Sequence, residues 1–556
     1  MASVLRPLRA HARVTGAALS RLWGLPPAST DVLVERDLQV PMRDGVVLLA
    51  DHYAPGGLPD RPTVLVRTPY GRGFGSALVA ATPLAARGYH VLLVSCRGTF
   101  GSGRPFMPMV HEAQDGQDVV AWLRERDWFD GRLATWGPSY LGYTQWALAL
   151  DPPPELRAMV VIVGLHDVAE AGRGQGPLEF QNLLFWSEIV AHQERDHPLI
   201  AAARTFTAER RLIPRLAALP IDEAAVELGG DQVPFFVEWV DHDSPEDGYW
   251  QPYRLGAALE RVNAPVLLIG GWYDYFIDQT LRQYEILRER GVSTRLLIGP
   301  WTHFTVDQQI VMTESLAWLD HYAGGEGPEP PAAAVRIFVT GVGSWLDLSS
   351  WPGPHIRPQP WYLNAGGRLT EEPPTLDEER SIIRYDPADP TPSVGGRVMA
   401  ITGGVQDNAA LEARSDVLVF STPPLEGPLE IRGRAEVTLH VAADSPHVDL
   451  FARLCDVDPA GLSRNVADRI LRRDPTRPEP GRVETVTLSL DAAAHRFLPG
   501  HRIRLQLSAG AFPRYARNLG SGEPEATGRT MRVTNQTVYF DRSRPSRLIL
   551  PVVRVP

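Results

Sequence analysis

The chain has 556 residues, is 44% hydrophobic and 22% charged, and carries a formal net charge of -11. That is the balance of a globular protein with material for about three domains, and its acidic surplus argues against nucleic acid as a partner. All 55 basic residues are arginine, which excludes a lysine Schiff base, a Ser–Lys dyad and a Walker-type phosphate loop.

Residues 1–32 hold Arg6, Arg9, Arg13 and Arg21 with no acid before Asp31. Their apolar residues are scattered, so the apolar centre of a signal peptide is missing and an amphipathic surface helix is expected. No run reaches the ~18 apolar residues of a membrane span, which makes the cytoplasm the expected location. From residue 33 short apolar runs alternate with helical stretches. Val46–Tyr53, Thr63–Arg67, His90–Ser95, Leu133–Trp136 and Met159–Val163 read as strands, with helices over Ser76–Arg87, Val110–Arg126 and Tyr140–Leu150. Runs of this kind fit a wound α/β sheet covered on both faces. Residues 165–255 break the pattern with helix formers and aromatics and read as a helical cap. The alternation resumes with strands at Ala264–Gly270 and Thr294–Ile298 and helices at Gln279–Arg290 and Val306–Tyr322. The α/β domain thus comprises 33–164 and 256–324. After the linker Gly324–Ala334, strand-like runs separated by turns predict a β-sandwich over 331–556. Cys96 and Cys455 lie in apolar strand-like runs with no metal-ligand spacing, so neither a disulfide framework nor a metal centre is expected.

The chemistry concentrates at three places. Gly137-Pro138-Ser139-Tyr140-Leu141-Gly142 joins a strand to a helix, where a serine sits on a tight turn with its hydroxyl above the sheet. The helix start offers free N–H groups to a developing oxyanion. A serine nucleophile needs a base, and the base an orienting acid. In this fold these follow in the order Ser, Asp, His at the ends of later strands. Asp274 in Gly271-Trp272-Tyr273-Asp274 and His303 in Gly299-Pro300-Trp301-Thr302-His303 meet that requirement. His192 and His197 flank an acid without His-Glu-x-x-His spacing, so no metal is expected there. Asp241-His242-Asp243 reads as solvated surface. Phe276 is a pocket candidate because its loop ends near the triad, and Trp186 and Trp272 are further candidates.

With these pieces the chain resembles the cocaine-esterase / X-prolyl dipeptidyl-peptidase group of serine hydrolases. Met42-Arg43-Asp44-Gly45-Val46, Arg67-Thr68-Pro69-Tyr70, Arg97-Gly98 with Gly101-Ser102-Gly103, Asp115-Gly116, Trp128-Phe129-Asp130-Gly131 and Phe512-Pro513-Arg514 carry the likeness, beside the three motifs above. The resemblance implies an α/β-hydrolase fold with an inserted helical cap and a C-terminal jelly roll. It implies Ser139 as nucleophile, His303 as base, Asp274 as its partner, and an oxyanion hole of the Tyr140 N–H and the Tyr70 phenol. No cofactor is implied.

Three functions are open at this stage. The first is hydrolysis of a small-molecule carboxylic ester, extending to amides. The second is an X-prolyl dipeptidyl aminopeptidase or α-amino-acid ester hydrolase that clamps an ammonium. The third is a non-catalytic binding protein. An enclosed ammonium needs carboxylates. Relatives acting on α-amino esters carry acids just after the triad aspartate, where this chain has Tyr275, Phe276 and Ile277; Asp278 or Glu179 are the available substitutes. Homo-oligomerisation is allowed but not required.

Overall fold

The computed structural model describes residues 5–8, 16–18, 20–195, 198–227, 233–325, 327–331, 333–473 and 481–554. Its first layer is a mixed sheet of eleven strands. These are β1 (Arg6–Pro7), β2 (Val32–Pro41), β3 (Val47–Pro55), β4 (Thr63–Thr68), β5 (His90–Ser95), β6 (Leu133–Pro138), β7 (Leu156–Ile162), β8 (Val266–Tyr273), β9 (Thr294–Thr302), β10 (Val335–Val339) and β11 (Ser344–Leu348). Their spatial order is β1-β2-β3-β5-β4-β6-β7-β8-β9-β10-β11. From β5 to β10 neighbours run parallel. Every residue of β4, β5 and β8 is buried, as helices on both faces require.

Two expectations are corrected here. Arg6–Pro7, within the stretch read as helical, is a strand paired antiparallel with β2. Val335–Leu348, assigned from the sequence to the C-terminal β domain, extends the first sheet: Val335 pairs with Leu296 of β9 and β11 folds back on β10. An edge strand buried on one face alternates as a sandwich strand does, so composition alone could not tell which sheet it joins.

Between β7 and β8 the chain leaves the sheet for helices that include Val168–Arg173, Phe180–His192, Pro198–Leu216, Ile221–Glu227 and Pro234–Asp241. From Ile356 to Val553 a second set of strands encloses its own core around Leu363, Val437, Leu454, Leu505 and Leu550. The seam between the two halves is ionic. Asp278, on the Ile277–Glu289 helix, meets Arg397, Arg434 and Arg469. Arg173 meets Glu525, and Arg514 meets both Asp468 and Glu179.

A second ionic device lies inside the α/β layer. Glu112, Asp115 and Asp118 recur every third residue on the Glu112–Leu123 helix, and all three are buried. That spacing puts them on one face. Each takes an arginine from a different segment. Glu112 holds Arg67 from β4. Asp115 accepts from Arg97 Nε at 3.0 Å, and Asp118 accepts from Arg43 Nε at 2.7 Å. Gly116 makes room, since a Cβ there would stand 2.8 Å from the Arg67 guanidinium. The scattered arginine and Asp-Gly motifs of the sequence are therefore one clamp. Replacing Asp115 by Asn leaves Arg97, 4% exposed, with Asp44 as its remaining carboxylate partner. The expected cost is about 1–3 kcal/mol, measured as a fall in the urea midpoint at constant slope.

Candidate active site

Ser139 caps the Tyr140–Leu148 helix directly after β6, with φ 57° and ψ -121°. A non-glycine residue at positive φ is strained and persists only where its surroundings impose it. Two glycines create those surroundings. A Cβ at Gly137 would lie 2.3 Å from Leu141 Cβ, and one at Gly142 would lie 2.8 Å from Gly164 Cα. The helix can therefore start immediately behind the serine and pack against the end of β7. The serine hydroxyl is left facing away from the core.

The aspartate and histidine are held by two strands that pair longer than the sequence suggests. β8 and β9 were expected to end at Gly270 and Ile298. They continue through Gly271↔Gly299 to Tyr273↔Thr302, with a register shift between Gly271 and Tyr273. Gly271 is needed because a Cβ there would lie 2.3 Å from the Trp301 carbonyl oxygen. The shared extension brings the residues after both strands side by side. His303 Nδ1 lies 2.6 Å from Asp274 Oδ1, and His303 Nε2 lies 2.9 Å from Ser139 Oγ. Asp274 is fully buried, and its second oxygen accepts the Phe276 N–H at 3.0 Å. A carboxylate so held fixes the imidazole tautomer with Nε2 free to accept the serine proton.

Two tyrosines flank the serine. The Tyr140 N–H is in the first turn of its helix, where backbone donors have no intrahelical partner. Its phenol is tied down behind: it donates to Glu112 Oε1 at 2.8 Å and accepts the Met109 N–H at 2.7 Å. The acid clamp of the fold thus reaches the residue next to Ser139. Tyr70 approaches from the other side, its phenol near enough to Ser139 to feel it and accepting the Trp186 indole N–H at 2.9 Å. Burial pushes the Tyr70 phenol up to about 12, against the opposing effect of Trp186 and Ser139. It therefore stays a neutral donor at neutral pH.

A pocket of about 420 Å³ opens beside Ser139, lined by Met109, Leu183, Trp186, Trp239, Phe276 and Met399 among others. Trp186 and Phe276, both pocket candidates from the sequence, are among its lining residues. Trp272 is not. It falls at the register shift and turns toward the sheet edge, where its indole donates to the Phe338 carbonyl at 2.7 Å and its ring packs on Trp351. Met399 and Asn182 were not foreseen. Met399 comes from the β domain, and its N–H donates to Asn182 Oδ1 at 2.8 Å. Nothing local in the sequence marks that pairing across 217 residues. His192 sits on a helix end with Nδ1 3.0 Å from the Glu188 carbonyl, and His197 lies outside the described residues.

A serine, a buried carboxylate and an imidazole, in that order along an α/β sheet, define the class: a serine hydrolase of the α/β-hydrolase type. The comparisons agree. Residues 44–305 match the family model of the X-Pro dipeptidyl-peptidase (S15 family), and residues 329–549 that of the X-Pro dipeptidyl-peptidase C-terminal non-catalytic domain. Cocaine esterase of Rhodococcus sp. (strain MB1 Bresler) is 30% identical over 94% of this chain and 99% of that protein. Among solved structures, an aminopeptidase from the marine sediment archaeon Thaumarchaeota archaeon superposes with TM-score 0.82 at 22% identity, covering 95% of this chain and 98% of the other. An α-amino acid ester hydrolase superposes with TM-score 0.80 at 24% identity, covering 95% and 97%. The chain belongs to the cocaine esterase / X-Pro dipeptidyl-peptidase family of serine hydrolases.

Among the described residues, no helix is long and apolar enough to cross a membrane. The Tyr70 environment makes a spectroscopic prediction. The difference in tyrosinate absorbance between wild type and Tyr70→Phe is expected to show no step by pH 10.5, half a unit above the ordinary phenol value of about 10; a step near 10 would mean a solvated phenol.

Proposed function

We propose that the protein hydrolyses carboxylic esters carrying an uncharged, largely apolar acyl group, through an acyl-enzyme on Ser139. In this reading His303 takes the Ser139 proton as Oγ attacks the carbonyl carbon. Charge moves to the carbonyl oxygen, which the Tyr140 N–H and the Tyr70 O–H receive. The tetrahedral intermediate collapses, His303 protonates the leaving alcohol, and a water repeats the sequence to free the acid.

The observation that carries the reading is the lining of the pocket. It contains no carboxylate, and its polar side chains are Ser139, Tyr140, Asn182 and Tyr275. The two acids that could have clamped an ammonium are already engaged. Asp278 is ion-paired to Arg397, Arg434 and Arg469. Burial disfavours its charge, but those three guanidiniums hold it well below the usual carboxylate range. Glu179 accepts the Asn182 amide at 2.9 Å and faces Arg514 at 3.6 Å, while burial pushes its carboxyl up. An α-ammonium entering this pocket would lose its hydration without gaining a free counter-charge. The match to the S15 peptidase model over residues 44–305 favours cleavage of X-Pro amides as the second reading.

Hydrolysis of p-nitrophenyl esters and of aminoacyl and prolyl p-nitroanilides, with intact mass after a fluorophosphonate, separates them. Wild type is expected to turn over the esters and gain one adduct. Ser139→Ala is expected to do neither, with turnover lower by on the order of 10⁴–10⁶-fold. Faster cleavage of the anilides than of the esters would transfer the conclusion to the peptidase.

A further inference from the structure

Trp186 is 8% exposed and stands in a file of rings. Its indole stacks on Tyr140 at 6.1 Å with 14° between planes, and on Trp239 at 5.8 Å with 17°. Phe235 closes the side at 5.6 Å. A ring fixed in its plane has a fixed N–H direction, and this one points at the Tyr70 phenol oxygen, 2.9 Å away. The pairing is not a general property of the cap. The indole N–H of Trp239, the next ring in the stack, is buried with no hydrogen-bond partner.

The consequence follows from the geometry of a phenol. Its oxygen carries one proton and accepts about the C–O axis. Once the Trp186 N–H occupies the acceptor side, the remaining O–H is left free to turn toward Ser139, where an oxyanion would form. A donated bond also polarises the phenol and strengthens the bond it gives in turn. We propose that Trp186 is a positioning residue of the cap: it orients the Tyr70 hydroxyl as an oxyanion donor, so that one wall of the acyl pocket also sets the rate of acylation. This rests on the assignment of Tyr70 to the oxyanion hole made above. It adds that an acyl group large enough to displace the indole would slow the chemical step rather than weaken binding.

The test is a double-mutant cycle between Trp186→Phe and Tyr70→Phe, read as kcat and KM on a short p-nitrophenyl ester. The expected result for Trp186→Phe is a kcat lower by about 10-fold, the scale of one hydrogen bond, with KM within about 2-fold. In the Tyr70→Phe background the same substitution is expected to change kcat by less than about 2-fold. If its effect is equally large in both backgrounds, Trp186 acts only as a wall and the inference falls while the Tyr70 assignment stands. If Tyr70→Phe alone leaves kcat unchanged, the oxyanion assignment falls and takes the inference with it. Should Trp186→Phe fold poorly, β-(3-benzothienyl)alanine at position 186 keeps the ring shape and removes only the N–H. The same loss in kcat is expected of it, and full activity would overturn the proposal.

Discussion

The site depends on a line of buried carboxylates that lies behind it. Glu112, Asp115 and Asp118 can be in the interior only because Arg67, Arg97 and Arg43 meet them there. An unpaired charge at such a depth would cost several kcal/mol. The pairs tie the turn after β2, the end of β4 and the loop after β5 to a single helix. They also leave Glu112 one oxygen with which to accept the Tyr140 phenol. Tyr140, which follows the serine, is thus anchored through its side chain to the α/β core. The placement of Tyr140 beside Ser139 is inherited from an ion pair made elsewhere.

A comparable economy holds Asp274 and His303. Neither sits in a free loop. Each follows directly on a strand that pairs beyond the point where its apolar run ends, and the register shift lets the two strands finish level. The nucleophile is held by the opposite means, a strained turn with φ 57° made possible by glycines on either side. Regular pairing positions the aspartate and the histidine, and local strain positions the serine. The cap then closes the arrangement from above, with Trp186 reaching Tyr70 and Asn182 reaching Met399 of the β domain.

Much of this was legible in the sequence, for identifiable reasons. The parallel strands announce themselves as unbroken apolar runs, because both their faces are covered. Ser139, Asp274 and His303 were legible because each sits where a strand gives way to another conformation, and such junctions need glycines. Three kinds of feature were not legible. The sheet joined by Val335–Leu348 depends on pairing partners rather than on its own alternation. Strands rich in arginine, such as Ser463–Arg472, hide among polar residues because their charges are neutralised by distant acids, here Asp449 and Glu525 for Arg472. Trp272 is a pocket candidate in the sequence, and the register shift sends it elsewhere. The helical reading of residues 1–32 failed at Arg6–Pro7 for a related cause: β2 offers an open edge there, and edge pairing overrides local propensity.

The cations of the ion pairs across the seam between the α/β layer and the β domain, Arg397, Arg434, Arg469 and Arg173, are all guanidiniums, and the chain contains no lysine. An ester hydrolase works among acyl donors, and activated esters scar protein surfaces chiefly through the ε-amines they acylate. A guanidinium stays protonated at every pH at which such enzymes operate, so it offers no lone pair to an acyl carbon. The groups that join the two halves of this molecule are therefore inert toward the chemistry performed a few residues away. Alkaline conditions that speed ester cleavage would leave those cations, and the junction they maintain, unchanged.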